Sequence, residues 1–336
     1  MRIQFSHSYE EIISVENLLA AWKEFVRGKR GKPDVQLFSR HLMANILQLH
    51  DELASFSYRH GRYYSFHITD PKPRHIHKAD VRDRLLHHAI YRKLYPFFDR
   101  TFIADSFSCR NNKGTHAAND RFRSMAYKAS RNNTRTCWVL QCDIRKFFAS
   151  IDHGILIGIL RQYIPDEDIM RLLEGVISSF YLSSLRVGLP LGNLTSQLFV
   201  NVYMNEFDQF AKHQLKAKSY IRYADDFVVM SDDREWLVHQ IPQIRLFLDR
   251  QLSLSLHSKK VHIHSLASGI DFLGWVHFSD HKVLRTRTKQ RMFRRFFQCP
   301  LPAVLQSYIG LLQHGNTDML ASHIRNLDWF IGEDEY

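Results

Sequence analysis

The longest apolar patterns along the chain have the spacing of amphipathic helices. Four segments place apolar side chains on one helical face: residues 15–26, 42–53, 194–215 and 235–252. Ser14 is a candidate N-cap for the first of them, because its hydroxyl can accept from the free N–H groups of the first turn. We therefore predict that helices make up a large part of the fold.

Shorter apolar runs predict strands. Residues 136–142 form a buried strand that ends at Asp143. Residues 220–223 and 227–230 are separated only by Ala224-Asp225-Asp226, which predicts a tight hairpin with two adjacent carboxylates at its tip. Further extended segments are expected over residues 56–68, 261–263 and 272–278. This mixture of helices and strands predicts an α+β fold.

Composition narrows the class of protein without naming it. The chain has 336 residues, 45% hydrophobic content and a formal net charge of +12, which suits a polyanionic partner bound through phosphates. We expect a cytoplasmic protein, since no apolar run reaches the roughly 18 residues that span a bilayer and the N-terminus lacks a signal-peptide core. Cys109, Cys137, Cys142 and Cys299 have no paired spacing and are expected to be buried, reduced thiols.

Asp143, Asp225 and Asp226 are candidate metal ligands for phosphoryl transfer. Phosphoryl transfer to a hydroxyl can use two metal ions held by carboxylates on rigid strands. Asp143 at a strand end and Asp225 with Asp226 at a hairpin tip would converge if their strands were neighbours in one sheet. The alternative is that Asp225 and Asp226 are solvated turn residues and that Asp143 caps a helix. The order of the surrounding motifs favours the first interpretation.

Those motifs resemble one family. Tyr223-Ala224-Asp225-Asp226, flanked by apolar strands, matches the aromatic-X-Asp-Asp signature of reverse transcriptases. In order along the chain, the blocks that resemble other motifs of that family are Lys72-Pro73-Arg74, Asp83-Arg84, residues 110–114, residues 143–148, residues 188–192, Lys260 and residues 269–275. The resemblance runs from about Tyr58 to Trp275. It implies an RNA-directed DNA polymerase that adds dNTPs to a primer 3′-OH.

The resemblance also assigns a catalytic centre. Asp143, Asp225 and Asp226, together with Ile144, would hold two Mg²⁺ ions, for which Mn²⁺ can substitute. The nucleotide-binding set that it implies is Lys72, Arg74, Arg145, Lys146, Phe147, Phe148, Leu191, Gln197 and Lys260. A ring at Phe148 leaves no room for a 2′-hydroxyl, while Lys72 and Arg74 would neutralise the triphosphate. Lys260 would support the leaving pyrophosphate, with Lys259 as its rival.

The implied architecture is a right-hand polymerase with an antiparallel palm sheet packed on helices and a short helical thumb. We expect an N-terminal extension and fingers over residues 1–135, a palm over 136–275 with a fingers portion near 155–190, and a thumb over 276–336. The resemblance makes Phe272, Leu273 and Gly274 the primer grip. Contacts to nucleic acid are expected at Arg110, Arg285, Arg287 and Arg291, although basic runs are often merely solvated faces.

One loop points to a subtype. The segment 192–197, with Leu191 before it and Gln197 at its end, resembles the loop of diversity-generating retroelement reverse transcriptases, in which it accompanies low fidelity opposite template adenines. Such enzymes copy a template RNA and work with a basic accessory protein. The open alternatives are a reverse transcriptase of an anti-phage defence system with a dedicated noncoding RNA, and a non-catalytic RNA-binding or splicing-helper protein. No membrane partner is expected.

The histidine pairs His75/His77 and His262/His264 could be mistaken for metal sites. No carboxylate or cysteine completes either pair in the sequence, so we assign them to structure or nucleic-acid contact.

Overall fold

Helices form the first part of the chain. The computed structural model describes residues 2–70, 72–181, 186–298 and 302–324. The opening helices are α1 (Tyr9–Ile13), α2 (Val15–Phe25), α3 (Pro33–Arg40) and α4 (Leu42–Ala54). Ser14 Oγ accepts from the Asn17 N–H (3.2 Å), which confirms the predicted cap of α2. Pro33 begins α3, where its missing N–H costs nothing.

A two-stranded hairpin and two long helices follow. They are β1 (Tyr64–Ile68), β2 (Arg74–Lys78), α5 (Val81–Asp99) and α6 (Thr115–Ala129). β1 and β2 pair antiparallel, with Ile68 opposite Arg74. We predicted an extended segment over residues 56–68, and the structure has a strand only over Tyr64–Ile68 (β1). The segment before it is fixed by the buried Asp83, which accepts from the Tyr58 hydroxyl (2.8 Å) and the Gly61 N–H (2.8 Å).

A four-stranded antiparallel sheet lies at the centre of the molecule. Its strands are β3 (Trp138–Asp143), β4 (Ser219–Tyr223), β5 (Asp226–Ser231) and β6 (His262–Ser265), in the order β4-β5-β3-β6. The helices between and after these strands are α7 (His153–Arg161), α8 (Glu167–Ser178), α9 (Leu194–His213) and α10 (Arg234–Leu252). The antiparallel sheet packed on helices, predicted from the family resemblance, is therefore observed.

Strands β3, β4 and β5 of this sheet are buried on both faces, and successive strand residues alternate between these faces. Phe227 and Val229 of β5 belong to the large core that also contains residues of α9 and α10. Val228 and Met230 point to the opposite face and pack with α6. Burial on both faces explains the continuous apolar run Phe227–Met230 of β5, whereas the edge strand β6 is partly exposed.

A helical segment over residues 318–324 ends the described chain, and a three-stranded antiparallel sheet and two helices precede it. They are β7 (Ile270–Phe272), β8 (Trp275–His277), β9 (Lys282–Leu284), α11 (Thr286–Gln298) and α12 (Pro302–Leu312). The strand-like prediction over residues 272–278 is confirmed at Phe272 and over Trp275–His277 but missed the turn between them. Leu273 and Gly274 have φ values of 48° and 92°, so they form a tight turn between β7 and β8. β8 also spans position 276, where we placed the start of the thumb.

The cysteines differ partly from expectation. Cys137 and Cys142 are buried free thiols, and burial raises the pKa of each to about 12. Cys109 is exposed, which corrects its predicted burial. It lies in a turn with φ 53° rather than in an apolar element. Cys299 lies outside the described residues. Within the described parts of the chain, no helix is both long and apolar enough to cross a bilayer.

Candidate active site

Strand pairing brings the three aspartates together. Asp143, the last residue of β3, lies directly opposite Asp226, the first residue of β5. Asp225 occupies the two-residue turn between β4 and β5, and its carbonyl accepts from the Ile144 N–H (3.2 Å). Ala224 in the same turn is left-handed, with φ 56°. The antiparallel register, rather than proximity in sequence, therefore creates the carboxylate cluster.

The pKa values of Asp225 and Asp226 are raised above the usual range of a carboxyl group. Burial raises the pKa of Asp225, and the charge of Asp143 adds to this effect, whereas Lys260 and Arg74 oppose it. Burial, the charge of Asp225 and a hydrogen bond with Asp143 raise the pKa of Asp226 to about 7. A bound cation would relieve this repulsion, since carboxylates this close resist being ionised together.

Lys260 supplies positive charge to the cluster. Its Nζ donates to Asp143 Oδ2 at 2.7 Å, and this hydrogen bond raises the pKa of Lys260. The backbone holds the lysine in place, because the Lys260 N–H donates to the His257 carbonyl (3.0 Å) and the His257 N–H donates to the Asp143 carbonyl (2.8 Å). The contact with Asp143 favours Lys260 over its neighbour Lys259 as the lysine of the site.

The donor chemistry fits Mg²⁺, although the side chains form no closed cage. Within the described residues, no group of three or more His, Cys, Asp or Glu side chains is arranged to hold a metal ion by itself. Mg²⁺ prefers oxygen ligands and usually keeps several waters, so that one or two carboxylates and substrate phosphates suffice. Asp143 and Asp226 are such a pair.

A cavity of about 310 Å³ opens beside these carboxylates and gathers predicted residues from distant parts of the chain. Those that line it are Lys72, Asp143, Asp226, Lys260, Phe272, Leu273 and Arg285. Arg285 Nε donates to Asp271 Oδ1 (2.7 Å), which also lines the cavity. Gln141 Nε2 of β3 donates to the Asp271 carbonyl (2.8 Å), so the central sheet and the β7–β8 turn share one wall.

The residues after Asp143 extend the site away from the sheet. Arg145 and Lys146 are exposed, and Lys146 is left-handed with φ 47°. Phe147 is buried, whereas Phe148 is only half-buried and meets it edge to face. The Phe148 carbonyl accepts from the Leu189 N–H (2.8 Å), which joins this segment to the loop before α9.

That loop lies against the β1–β2 hairpin. The Leu191 carbonyl accepts from the His77 N–H (3.0 Å), and Asn193 Nδ2 donates to the His77 carbonyl (2.9 Å). Gly192 has φ 111°, and a Cβ there would lie 3.0 Å from the Ile76 side chain, which explains the glycine. Gln197 is half-buried in the first turns of α9.

Three predicted nucleic-acid residues lie outside this cavity. Arg287 and Arg291 lie on α11, where Arg287 is exposed and Arg291 is half-buried. Arg110 is turned into the fold: its Nε donates to Asp99 Oδ1 (2.7 Å) and its Nη1 donates to the Ile103 carbonyl (2.7 Å). Its guanidinium is 6% exposed, so we assign Arg110 to the structure of its turn.

Sequence comparison identifies the family to which this geometry belongs. The family model "Reverse transcriptase (RNA-dependent DNA polymerase)" matches residues 69–277, more than half of the chain and the segment that holds all three aspartates. The chain belongs to the reverse transcriptase family. It is an RNA-directed DNA polymerase, in agreement with the prediction from its motifs.

The individual proteins to which the chain is similar are distant relatives. The chain is 25% identical to protein YkfC of Escherichia coli (strain K12) over 293 residues, which cover 75% of this chain and 74% of YkfC. It is 22% identical over 324 residues to the group II intron-encoded protein LtrA of Lactococcus lactis subsp. cremoris, covering 76% of this chain and 52% of LtrA. The chain thus spans about half the length of LtrA.

The sequence predictions for this reverse transcriptase missed a buried network beneath the hairpin. Arg222 of β4 is fully buried and binds both carboxylate oxygens of Asp208 on α9, at 2.7 and 2.6 Å. Its Nη1 also donates to the Ala224 carbonyl (3.2 Å) in the turn that carries Asp225. The sequence contained a signal for this network, namely an arginine within the apolar strand 220–223. A buried arginine needs a buried acidic partner.

Proposed function

We propose that the cavity beside Asp143 and Asp226 is the polymerase centre, where an RNA template directs addition of dNTPs to a primer 3′-OH. The observation that carries this proposal is the pairing of Asp143 with Asp226 across β3 and β5, with Lys260 on Asp143. Asp143, Asp226 and Lys260 all line the same cavity, which supports the proposal.

In this proposal, Asp143, Asp225 and Asp226, with Ile144, hold two Mg²⁺ ions. When bound, the ions lower the pKa of the primer hydroxyl and stabilise the leaving pyrophosphate. The chain's own cations act on the same charge: Lys72, Arg74 and Lys260 neutralise the triphosphate and pyrophosphate. Phe148 lies against the sugar of the incoming nucleotide and favours dNTPs.

We further assign the architecture as a right hand. The β1–β2 hairpin and the N-terminal helices belong to the fingers and N-terminal extension, the central sheet to the palm, and α11 with α12 to the thumb. The β7–β8 turn, with Phe272, Leu273 and Gly274, is the primer grip. Because β7, β8 and β9 form one sheet, we now place the thumb after β9 rather than at residue 276.

The subtype that we propose is an error-prone enzyme of a diversity-generating retroelement, which copies a template RNA with a basic accessory protein. Leu191 and Gln197 support it, because a leucine beside the nascent base pair offers shape and dispersion but no hydrogen bond. Leu191→Gln should reduce misincorporation opposite template adenine, measured by sequencing the cDNA. An unchanged error spectrum would remove Leu191 from the explanation.

Two other roles remain as candidates. The same loop suits a reverse transcriptase of an anti-phage defence system with a dedicated noncoding RNA. LtrA is named as a group II intron-encoded protein, so a splicing-helper role through RNA binding is the second candidate. Sequencing the genes and RNA that flank the coding sequence distinguishes the retroelement from the defence system, since a retroelement carries a template and a variable repeat.

Primer extension tests the polymerase centre directly. The wild-type chain, Asp143→Asn and Asp225→Asn are compared on an RNA template with dNTPs and Mg²⁺, and Asp51→Asn on the exposed side of α4 serves as the matched control. We expect extension by the wild type and the control, and a loss of at least about 100-fold in the other two variants, because each removes a ligand charge. Extension that survives either substitution would refute the centre.

A further inference from the structure

A second cavity, larger than the polymerase cavity, opens beside the edge strand β4. It has a volume of about 740 Å³ and lies between the C-terminal half of α6, the connection from α9 to β4, and the start of α10. We call it the β4-edge cleft. Its lining residues are Arg121, Met125, Lys128, Ala129, Arg131, Leu215, Lys216, Lys218, Ser219, Met230, Ser231, Asp232 and Trp236.

The cleft is separate from the polymerase centre. The two cavities share no lining residue. Ser219 and Met230 form the last pair of β4 and β5, whereas Tyr223 and Asp226 form the pair next to the hairpin turn. The two pairs are four residue steps apart along the strand, a distance of about 13 Å. Nothing in the polymerase mechanism uses the residues at this end.

The lining carries strong positive charge. Five of its residues are cationic and only Asp232 is acidic. Lys128, Lys216 and Lys218 are exposed. An excess of this size in a concave surface concentrates the field and attracts phosphates. Clustering of cations in a cleft distinguishes it from the evenly solvated basic faces common on protein surfaces.

Asp232 of the lining holds two arginines, Arg131, which itself lines the cleft, and Arg135, which lies outside the lining. Asp232 binds Arg131 Nε (3.3 Å) and Arg135 Nη1 (3.1 Å), so one carboxylate positions two guanidinium groups. The turn that carries them is fixed by its backbone, because the Arg131 N–H donates to the Lys128 carbonyl (3.1 Å) and the Arg135 N–H to the Ser130 carbonyl (2.9 Å). Each guanidinium keeps further N–H groups for phosphate oxygens.

The floor of the cleft is apolar. Met125, Leu215, Met230 and Trp236 line it below the cations. A cleft of this size admits short single-stranded or looped nucleic acid, whose bases can turn toward apolar and aromatic surfaces. A duplex keeps its bases stacked inside and presents only phosphates. Cations above an apolar floor therefore suit an unpaired segment better than a duplex.

We propose that the β4-edge cleft binds an unpaired segment of RNA, outside the strand being copied, through its phosphates. The inference rests on the proposed function, because an enzyme that copies RNA encounters a template molecule longer than the few nucleotides in its centre. The cleft then holds the template molecule on the enzyme at a point remote from catalysis.

The test uses the full chain with Lys128, Lys216 and Lys218 all changed to glutamine. The matched control changes three exposed cations near the N-terminal helices, Lys23, Arg27 and Lys32, to glutamine. A labelled stem–loop RNA with a single-stranded loop is titrated by fluorescence anisotropy over a range of KCl concentrations, without dNTPs. Primer extension on a short RNA–DNA oligonucleotide duplex is measured in parallel.

We expect the cleft variant to bind the RNA roughly 10- to 100-fold more weakly at physiological salt, with a salt slope lower by about two, because each lost contact with a single strand is worth about 0.7 in the slope. The control should keep wild-type binding. Extension of the short duplex should be equal in all three proteins, which also shows that the cleft variant is folded.

RNA affinity and salt slope equal to those of the control would overturn the proposal. An equal loss of affinity for a fully paired duplex RNA would also overturn it, since that would show general attraction rather than binding of an unpaired segment. Failure of the wild type to extend the short duplex would refute the proposed polymerase centre. Because binding is read without dNTPs, that failure would leave the result for the cleft intact.

Discussion

At the scale of single residues, Arg222 links the interior of the molecule to the catalytic hairpin. Its guanidinium is fully buried and reaches Asp208, Ser106 (3.0 Å) and Asn201 (3.2 Å), as well as the Ala224 carbonyl. Asp208 also accepts from the Tyr220 hydroxyl (2.6 Å). The network satisfies every partner of a buried charge pair, the condition under which such a pair is tolerated.

Arg222→Met should destabilise the fold by about 3–5 kcal/mol, because it leaves the Asp208 charge buried without its partner. The double variant Arg222→Met/Asp208→Leu should recover part of this loss in urea unfolding, since both charges are gone. Its kcat should stay below wild type, because the Ala224 carbonyl still lacks its donor. A double variant as unstable as Arg222→Met would contradict the account of the pair.

Phe148 gives a prediction about substrate choice. Its ring is half-buried beside Phe147, and we place it against the sugar of the incoming nucleotide. Phe148→Ala should raise incorporation of rNTPs relative to dNTPs by about 10-fold or more, because the ring no longer excludes the 2′-hydroxyl. The ratio of kcat/KM for rNTP and dNTP measures this. Phe56→Ala, at an exposed phenylalanine that does not line the cavity, is the control and should leave the ratio unchanged.

At the scale of elements, apolar periodicity in the sequence predicted the helices and strands whose pattern is local. The helices from Val15, Leu42 and Leu194 and the strand that ends at Asp143 are where periodicity placed them. The β7–β8 turn was missed because Leu273 takes a left-handed conformation that leucine rarely adopts. The pairing of Asp143 with Asp226 came from family resemblance, since register between distant strands leaves no local signal.

The contact between β8 and α6 predicts acid sensitivity. His277 Nε2 donates to Asn119 Oδ1 (2.8 Å), and burial lowers the pKa of His277 to about 3, with Lys282 and Arg123 lowering it further and Asp120 opposing them. The folded state therefore holds this histidine neutral while the unfolded chain takes up a proton. Its contribution to stability is complete above about pH 6.5 and is lost as pH falls toward 3.

His277→Gln keeps a donor for Asn119 but cannot titrate. The free energy of unfolding should therefore fall less steeply between pH 6.5 and 4 in this variant than in wild type, as measured by urea unfolding at several pH values. Groups common to both proteins, Asp226 among them, cancel in the comparison. Parallel pH dependence in the two proteins would show that His277 is not responsible.

At the scale of the whole molecule, the C-terminal elements are joined to the polymerase cavity. Arg285 lines the cavity and binds Asp271, and α11 begins at the next residue. Lys282 at the start of β9 reaches Asp120 of α6 (3.3 Å). The basic helix α11 therefore starts beside this cavity, and under the proposed function it would lie along the template–primer duplex.

The face of α11 that carries Arg287 and Arg291 should hold that duplex. Met292 and Phe296 are buried on the other side of the helix, so the two arginines, one turn or about 6 Å apart, face outward. Arg287→Gln/Arg291→Gln should shorten the cDNA products and lower the salt slope of duplex binding by about two, because two phosphate contacts are lost. Addition of the first nucleotide at saturating duplex should be retained, since neither arginine lines the cavity. Lys32→Gln/Arg40→Gln, at two exposed cations at opposite ends of α3, is the control. Products as short in that variant would trace the effect to net charge rather than to α11.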